Sequence, residues 1–121
     1  MEKEKTCKIV FSDIDGTLLT SDGQITEGTK EMILNLEKKG IPFILTSARS
    51  PEGVRVIKRM LGNHAPIIAF CGGLILDDDG NEIYSKMIPL KRALELKAML
   101  DKDFPAVACN TFGGEKGIVD D

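Results

Sequence analysis

Apolar residues along this chain come in short runs and periodic stripes that alternate in kind. Lys8-Ile9-Val10-Phe11 is a short apolar run of the sort that forms a buried strand. Asp22-Gly23, further on, is a hairpin signal. Thr26 then caps a predicted helix whose apolar face holds Met32, Ile33 and Leu36, and Gly40 stops it. Ile41 to Leu45 reads as a second buried strand. Ser50-Pro51 supplies an N-cap followed by proline at the first helical position. The helix it opens carries Val54, Ile57, Met60 and Leu61 on one face and ends at Gly62-Asn63, and Pro66 to Phe70 is the third strand.

Strand–helix–strand–helix–strand with short connections predicts a pair of right-handed βαβ units. The expected fold class is α/β, with three parallel strands in a sheet covered on both faces. The pattern then changes. Leu74-Ile75-Leu76 and Glu82-Ile83-Tyr84 flank Asp77 to Asn81 as a β-hairpin. Pro89 and Leu90 open a third helix that ends near Asp101 to Phe104, with two apolar stripes, Leu90/Ala93/Leu94 and Leu96/Met99/Leu100. Two short strands, Ala106 to Thr111 and Gly117 to Val119, follow, with Gly113-Gly114 turning between them. The expected division is a core over residues 1–73, a hairpin and linker over 74–89, and an α+β piece over 90–121.

Composition narrows the function classes. A chain of 121 residues is one domain or part of one, and 42% hydrophobic with 29% charged residues is not a disordered composition. Lys and Arg number 16 against 19 Asp and Glu, a net charge of −3, which argues against a nucleic-acid or membrane-surface binder. No apolar run approaches the ~18 residues of a spanning helix. The opening MEKEKTCKIVF lacks the apolar stretch and cleavage site of a signal peptide, so the expected location is cytoplasmic. Cys7, Cys71 and Cys109 form no C-x-x-C pair and His64 is the one histidine; three reduced thiols and no zinc site are expected.

The residues that can do chemistry gather past the strand ends. Asp13 and Asp15 follow the first strand in Asp13-Ile14-Asp15-Gly16-Thr17, and Ser47 follows the second in Thr46-Ser47-Ala48-Arg49. Adjacent parallel strands bring both ends to one edge of the sheet, where open α/β sheets bind ligands. Two carboxylates, a hydroxyl and an arginine therefore converge on one crevice. With the backbone extended, Asp13 and Asp15 face the same side. Paired carboxylates suit Mg²⁺, and they suit a division between a nucleophile and a proton shuttle. Gly16 lets backbone amides approach an anion, and the Ser47 hydroxyl with the helix start at Ser50-Pro51 would hold phosphate oxygens.

Phe11-Ser12-Asp13-Ile14-Asp15-Gly16-Thr17-Leu18-Leu19 resembles the DxDGTLL signature of the haloacid dehalogenase-like phosphohydrolases. Ile44 to Arg49 resembles the family's second motif, and Pro66 to Ile75 resembles the segment leading into the cap of its Cof-type branch. The resemblance covers essentially the whole chain. It implies a partial Rossmann-like core followed by the start of an α+β cap. It makes Asp13 the nucleophile that forms an aspartyl-phosphate and Asp15 the general acid/base. Asp13 and the Asp15 backbone carbonyl would bind Mg²⁺. Ser47, Ala48 and Gly16 would be the phosphate-binding positions, with Arg49 on the substrate side. Ala48 replaces the usual Gly, and Cys71 stands where the branch usually has Asn.

The family also uses a Lys near the fourth strand and a late acidic pair for the metal. Both come after the cap in this branch. Lys86, Lys91 and Lys116 are cap-side and do not match that Lys, and Asp120-Asp121 fall where cap strands belong. The expected function is a Mg²⁺-dependent phosphohydrolase of small phosphorylated metabolites such as sugar phosphates. The alternative is a truncated, catalytically incomplete fragment of such an enzyme. A phospho-acceptor receiver domain is the remote alternative, because its acceptor position at the end of the third strand is held here by Phe70-Cys71. A first strand with a bare second edge further predicts self-association through that edge. The Asp77-Asp78-Asp79-Gly80 run lacks the EF-hand pattern and reads as a solvated turn, Gly113 to Gly117 is not a Walker loop, and His64 is expected at the surface.

Overall fold

The computed structural model describes residues 6–113 and the backbone of 116–119. The chain divides into two units, residues 1–85 and 86–121. In the first, β1 (Val10–Asp13), α1 (Glu27–Lys38), β2 (Phe43–Thr46), α2 (Pro51–Leu61) and β3 (Ile67–Ala69) follow the expected alternation. β1, β2 and β3 are parallel, with Val10 opposite Phe43 and Leu45 opposite Ile67.

The helix ends lie where capping chemistry puts them. The Thr26 hydroxyl accepts the Thr29 N–H at the start of α1. At the start of α2 the Ser50 hydroxyl accepts the Gly53 N–H, and Pro51 takes the first helical position. Gly62, at φ +78°, closes α2 in the left-handed conformation that glycine adopts without steric cost. Val54, Ile57 and Leu61, at helical spacing, are buried with Ile33 of α1 against Phe43, Leu45, Ile67 and Ala69. Each such side chain contributes roughly 1.5–3 kcal/mol on burial. Met32, expected on the apolar face of α1, is instead 63% exposed; Ile33 and the half-buried Leu36 make the contact.

Both faces of the sheet were expected to be covered; the helices cover one. Strand order runs one way, β1-β2-β3, so two right-handed crossovers send α1 and α2 to the same face. Covering both faces requires a reversal of strand order, which these strands lack. On the other face Ile44 is buried at 7%, while its neighbour Phe11, on the edge strand, stays 56% exposed.

The sheet is also larger than three strands. β4 (Leu74–Leu76) and β5 (Glu82–Ser85) extend it antiparallel, with Ile68 opposite Ile75 and Ile75 opposite Tyr84. β1 is one edge of this five-stranded sheet. In the Asp77–Asn81 turn the Asp77 carboxylate accepts the Asn81 N–H at 2.8 Å. Expected to be a solvated turn, it is braced: Asp78 pairs with Lys58 of α2 and stands 3.2 Å from His64 Nδ1. His64 itself is at the surface, as expected. The Asp22-Gly23 signal forms a tight turn, with Thr20 N–H on the Gln24 carbonyl, but no strand ladder flanks it.

In the second unit α3 (Leu90–Asp103) carries no fully buried residue. Neither apolar stripe is its sheltered one; Ala93, Lys97 and Leu100 are the half-buried positions. β6 (Asn110–Gly113) and β7 (Lys116–Val119) form an antiparallel pair. Part of the expected Gly113-Gly114 turn, the Lys116 side chain and Asp120-Asp121 lie outside the described residues.

Candidate active site

Asp13 ends β1 in register with Thr46, and Thr46 is in register with Ile68. The residues that follow the three parallel strands therefore share one edge of the sheet. Ile14, with no exposed surface, anchors the turn after β1. Its carbonyl accepts the amides of Leu18 at 3.0 Å and Leu19 at 3.2 Å, and its own amide donates to the Asp13 carboxylate at 2.8 Å. The extended backbone thus ends at Asp13. Asp15 and Gly16 stand in the turn, and Gly16 takes φ +74°.

Ser47 is buried at 6% exposure, its amide on the Ile68 carbonyl. Its hydroxyl accepts the Arg49 N–H at 3.1 Å and keeps its own proton to donate. Ala48 is exposed beside it. The single helical turn after β3 holds this loop from the other side: Phe70 N–H donates to the Arg49 carbonyl and Cys71 N–H to the Ser47 carbonyl, each at 2.9 Å. Phe70 and Cys71 do so at φ +49° and +55°, which side-chain-bearing residues seldom adopt.

Arg49 crosses from the β2 loop to the β1 turn. Its Nε donates to Asp15 Oδ2 at 2.9 Å and its Nη2 to Asp15 Oδ1 at 2.6 Å, a two-pronged pair. The hydrogen bonds from Arg49 hold the Asp15 carboxyl below the usual carboxylate range; desolvation opposes them, and the Arg49 charge adds a smaller lowering. The same bonds raise the Arg49 guanidinium. Asp15, Gly16 and Arg49 line an open cleft of about 510 Å³ with Leu19, Thr20, Ser21 and Gly23. Asp13 and Ser47 share the sheet edge but do not line that cleft. Lys86 and Lys91 belong to the second unit.

Sequence reasoning brought Arg49 to the crevice but missed its partner. The signal was present: an arginine just past one parallel strand and a carboxylate just past its neighbour. It also missed the Phe70–Cys71 turn, whose conformation no local pattern announces.

The donors at this edge are hard oxygens. Asp13 is exposed, with one carboxylate oxygen on the Ile14 amide and further acceptor capacity, which fits a hard divalent cation. Among the described residues no cluster of three His, Cys, Asp or Glu side chains is assembled.

Comparison with known proteins adds the family. The family model for haloacid dehalogenase-like hydrolases matches residues 10–121. A Haemophilus influenzae protein named "Putative phosphatase" is 40% identical over 105 residues, which cover 87% of this chain and 40% of that protein. The phosphoglycolate phosphatase of Thermoplasma volcanium is 36% identical over 74 residues, 61% of this chain and 33% of that one. A solved haloacid dehalogenase-like hydrolase of B. subtilis superposes with a TM-score of 0.76 at 26% identity, covering 87% of this chain and 36% of that structure. The chain spans 40% of the first relative's length and 33% of the second's. With Asp13 and Asp15 at the end of β1 and a family match that takes in every strand, the chain belongs to the haloacid dehalogenase-like hydrolases.

Proposed function

We propose that this chain carries the nucleophile half of a Mg²⁺-dependent phosphohydrolase site for small phosphorylated metabolites, sugar phosphates among them. The observation that carries the reading is the convergence of Asp13, Asp15, Ser47 and Arg49 on one carboxyl edge of parallel strands. The phosphatase names of the relatives support the reaction class.

In this reading an Asp13 carboxylate oxygen attacks phosphorus and the bond to the leaving alkoxide breaks. Asp15 gives that alkoxide a proton. Asp15 then takes a proton from the water that attacks the aspartyl-phosphate, and alcohol and phosphate leave with Asp13 restored. The Ser47 hydroxyl and the Gly16 and Ala48 backbone hold phosphoryl oxygens. Asp13 and the Asp15 carbonyl would hold Mg²⁺, which when bound supplies charge neutralisation at the phosphoryl group.

Because the chain covers 40% of its first relative, a second reading stands beside this one: the 121 residues hold half a site and do not turn over alone. Hydrolysis of a generic aryl phosphate by the purified chain separates the two. Turnover that needs both Mg²⁺ and Asp13 supports the complete reading. Turnover equal to that of Asp13→Asn supports the incomplete one. We also propose that the β1 edge pairs with a second copy of this chain.

A further inference from the structure

Both Asp15 carboxylate oxygens are taken by the Arg49 guanidinium, at 2.9 and 2.6 Å. With both oxygens held this way, the Asp15 carboxyl is turned toward Arg49 and away from a leaving group. The remaining arm of Arg49 is weakly held: Nη1 donates to the Gly53 carbonyl of α2 at 3.4 Å. The pair is also open to the cleft, with Asp15 59% and Arg49 34% exposed at the side chain. A phosphate group offers the same planar pair of oxygens to a guanidinium that a carboxylate offers. Arg49 cannot make its two-pronged contact to both at once with the same two nitrogens.

We propose that Arg49 is a latch on Asp15 that phosphate opens: the guanidinium passes from the Asp15 carboxylate to the substrate phosphate, and Asp15 is released to act on the leaving group. This rests on the reading of the site given above and adds an ordering to it. Arg49 is then a substrate-sensing residue, and Asp15 competes with substrate for it. The competition keeps the acid/base group occupied until a phosphate ester arrives.

The test is inorganic phosphate binding to the 121-residue chain in magnesium buffer, followed by amide shifts at Gly16 and Ser47. It is measured for the native chain, Asp15→Asn, Arg49→Gln and the double variant. The amide spectra report folding, and both side chains are partly solvent-exposed, so the substitutions leave the core intact. The latch predicts that Asp15→Asn tightens phosphate binding about tenfold, the size of a typical coupling between sites. In the Arg49→Gln background the same substitution gains about twofold or less. Simple repulsion between Asp15 and phosphate predicts a gain at least as large without Arg49, and that result overturns the proposal. So does a loss of affinity in Asp15→Asn, which would make Asp15 a support that presents Arg49 to phosphate. Both of those outcomes leave the phosphate site standing. Absence of phosphate-induced shifts in all four chains would overturn the site reading together with the latch.

Discussion

The Cys71 amide donates to the Ser47 carbonyl at 2.9 Å from a backbone position with φ +55°. A residue with a β-carbon is thus held in left-handed backbone in order to brace the loop that carries the candidate phosphate-binding hydroxyl. The left-handed region costs a residue with a side chain roughly 1–2 kcal/mol, and Asn tolerates it better than most. Cys71→Asn is therefore expected to raise stability by up to about 1 kcal/mol. Urea unfolding of the two chains measures this, and a lower midpoint for Cys71→Asn would show that the turn is not strained.

Leu61 has no exposed surface and fills the space between α2 and the sheet. Leu61→Ala is expected to cost about 2–5 kcal/mol. Met32→Ala, at a position 63% exposed, should stay within roughly 0.5 kcal/mol. Equal losses from the two in denaturant unfolding would contradict the assignment of the core.

Asp78 ties the β4–β5 turn to α2 through Lys58, whose hydrogen bond holds the Asp78 carboxyl below its ordinary value. A depressed carboxylate adds stability above its unfolded pKa, about 3.9, and loses it as pH falls through the lower folded value. The native chain should therefore exceed Asp78→Asn in stability at neutral pH, by at most about 1 kcal/mol because the pair is partly exposed. The gap should close below about pH 4. Unfolding midpoints of both chains against pH check the sign; a gap that widens on acidification would contradict it.

The local half of this structure was legible in the sequence because its causes are local. Thr26, Ser50-Pro51 and Gly62 mark helix ends through their own side chains and backbone preferences, and they stand where expected. The apolar runs located β1 to β3 within a few residues. What was not legible depends on register and on distant partners. That β4 lies against β3, Ile67 opposite Leu76, follows from a close reversal at Phe70–Gly72 which requires positive φ at two residues with side chains. No turn signal encodes that. Strand order decided that the helices share a face, and two charges 34 residues apart met as Arg49 and Asp15 only once β1 and β2 were adjacent. Of the candidate site, residue identities were readable and their pairings were not.

The β1 edge gives a test of association. Val10 N–H donates to the Pro42 carbonyl, so in a parallel ladder the Phe11 backbone groups point away from β2. If, as proposed, this edge pairs with a second copy, those groups and the 56% exposed phenylalanine lie in the contact. Light scattering is expected to give a mass above the 13.2 kDa monomer for the native chain and the monomer mass for Phe11→Lys. A monomeric native chain with slow amide exchange at residues 8 to 11 would contradict edge pairing.

The central claim is that Asp13, at the carboxyl end of β1, takes the phosphoryl group. The most direct measurement is to mix the chain with an aryl phosphate and Mg²⁺, quench in acid, trap acyl phosphates by reduction and map the peptides. The account predicts the modification on Asp13 alone and none in Asp13→Asn. A phosphoryl group on any other residue, or none on Asp13, would contradict it.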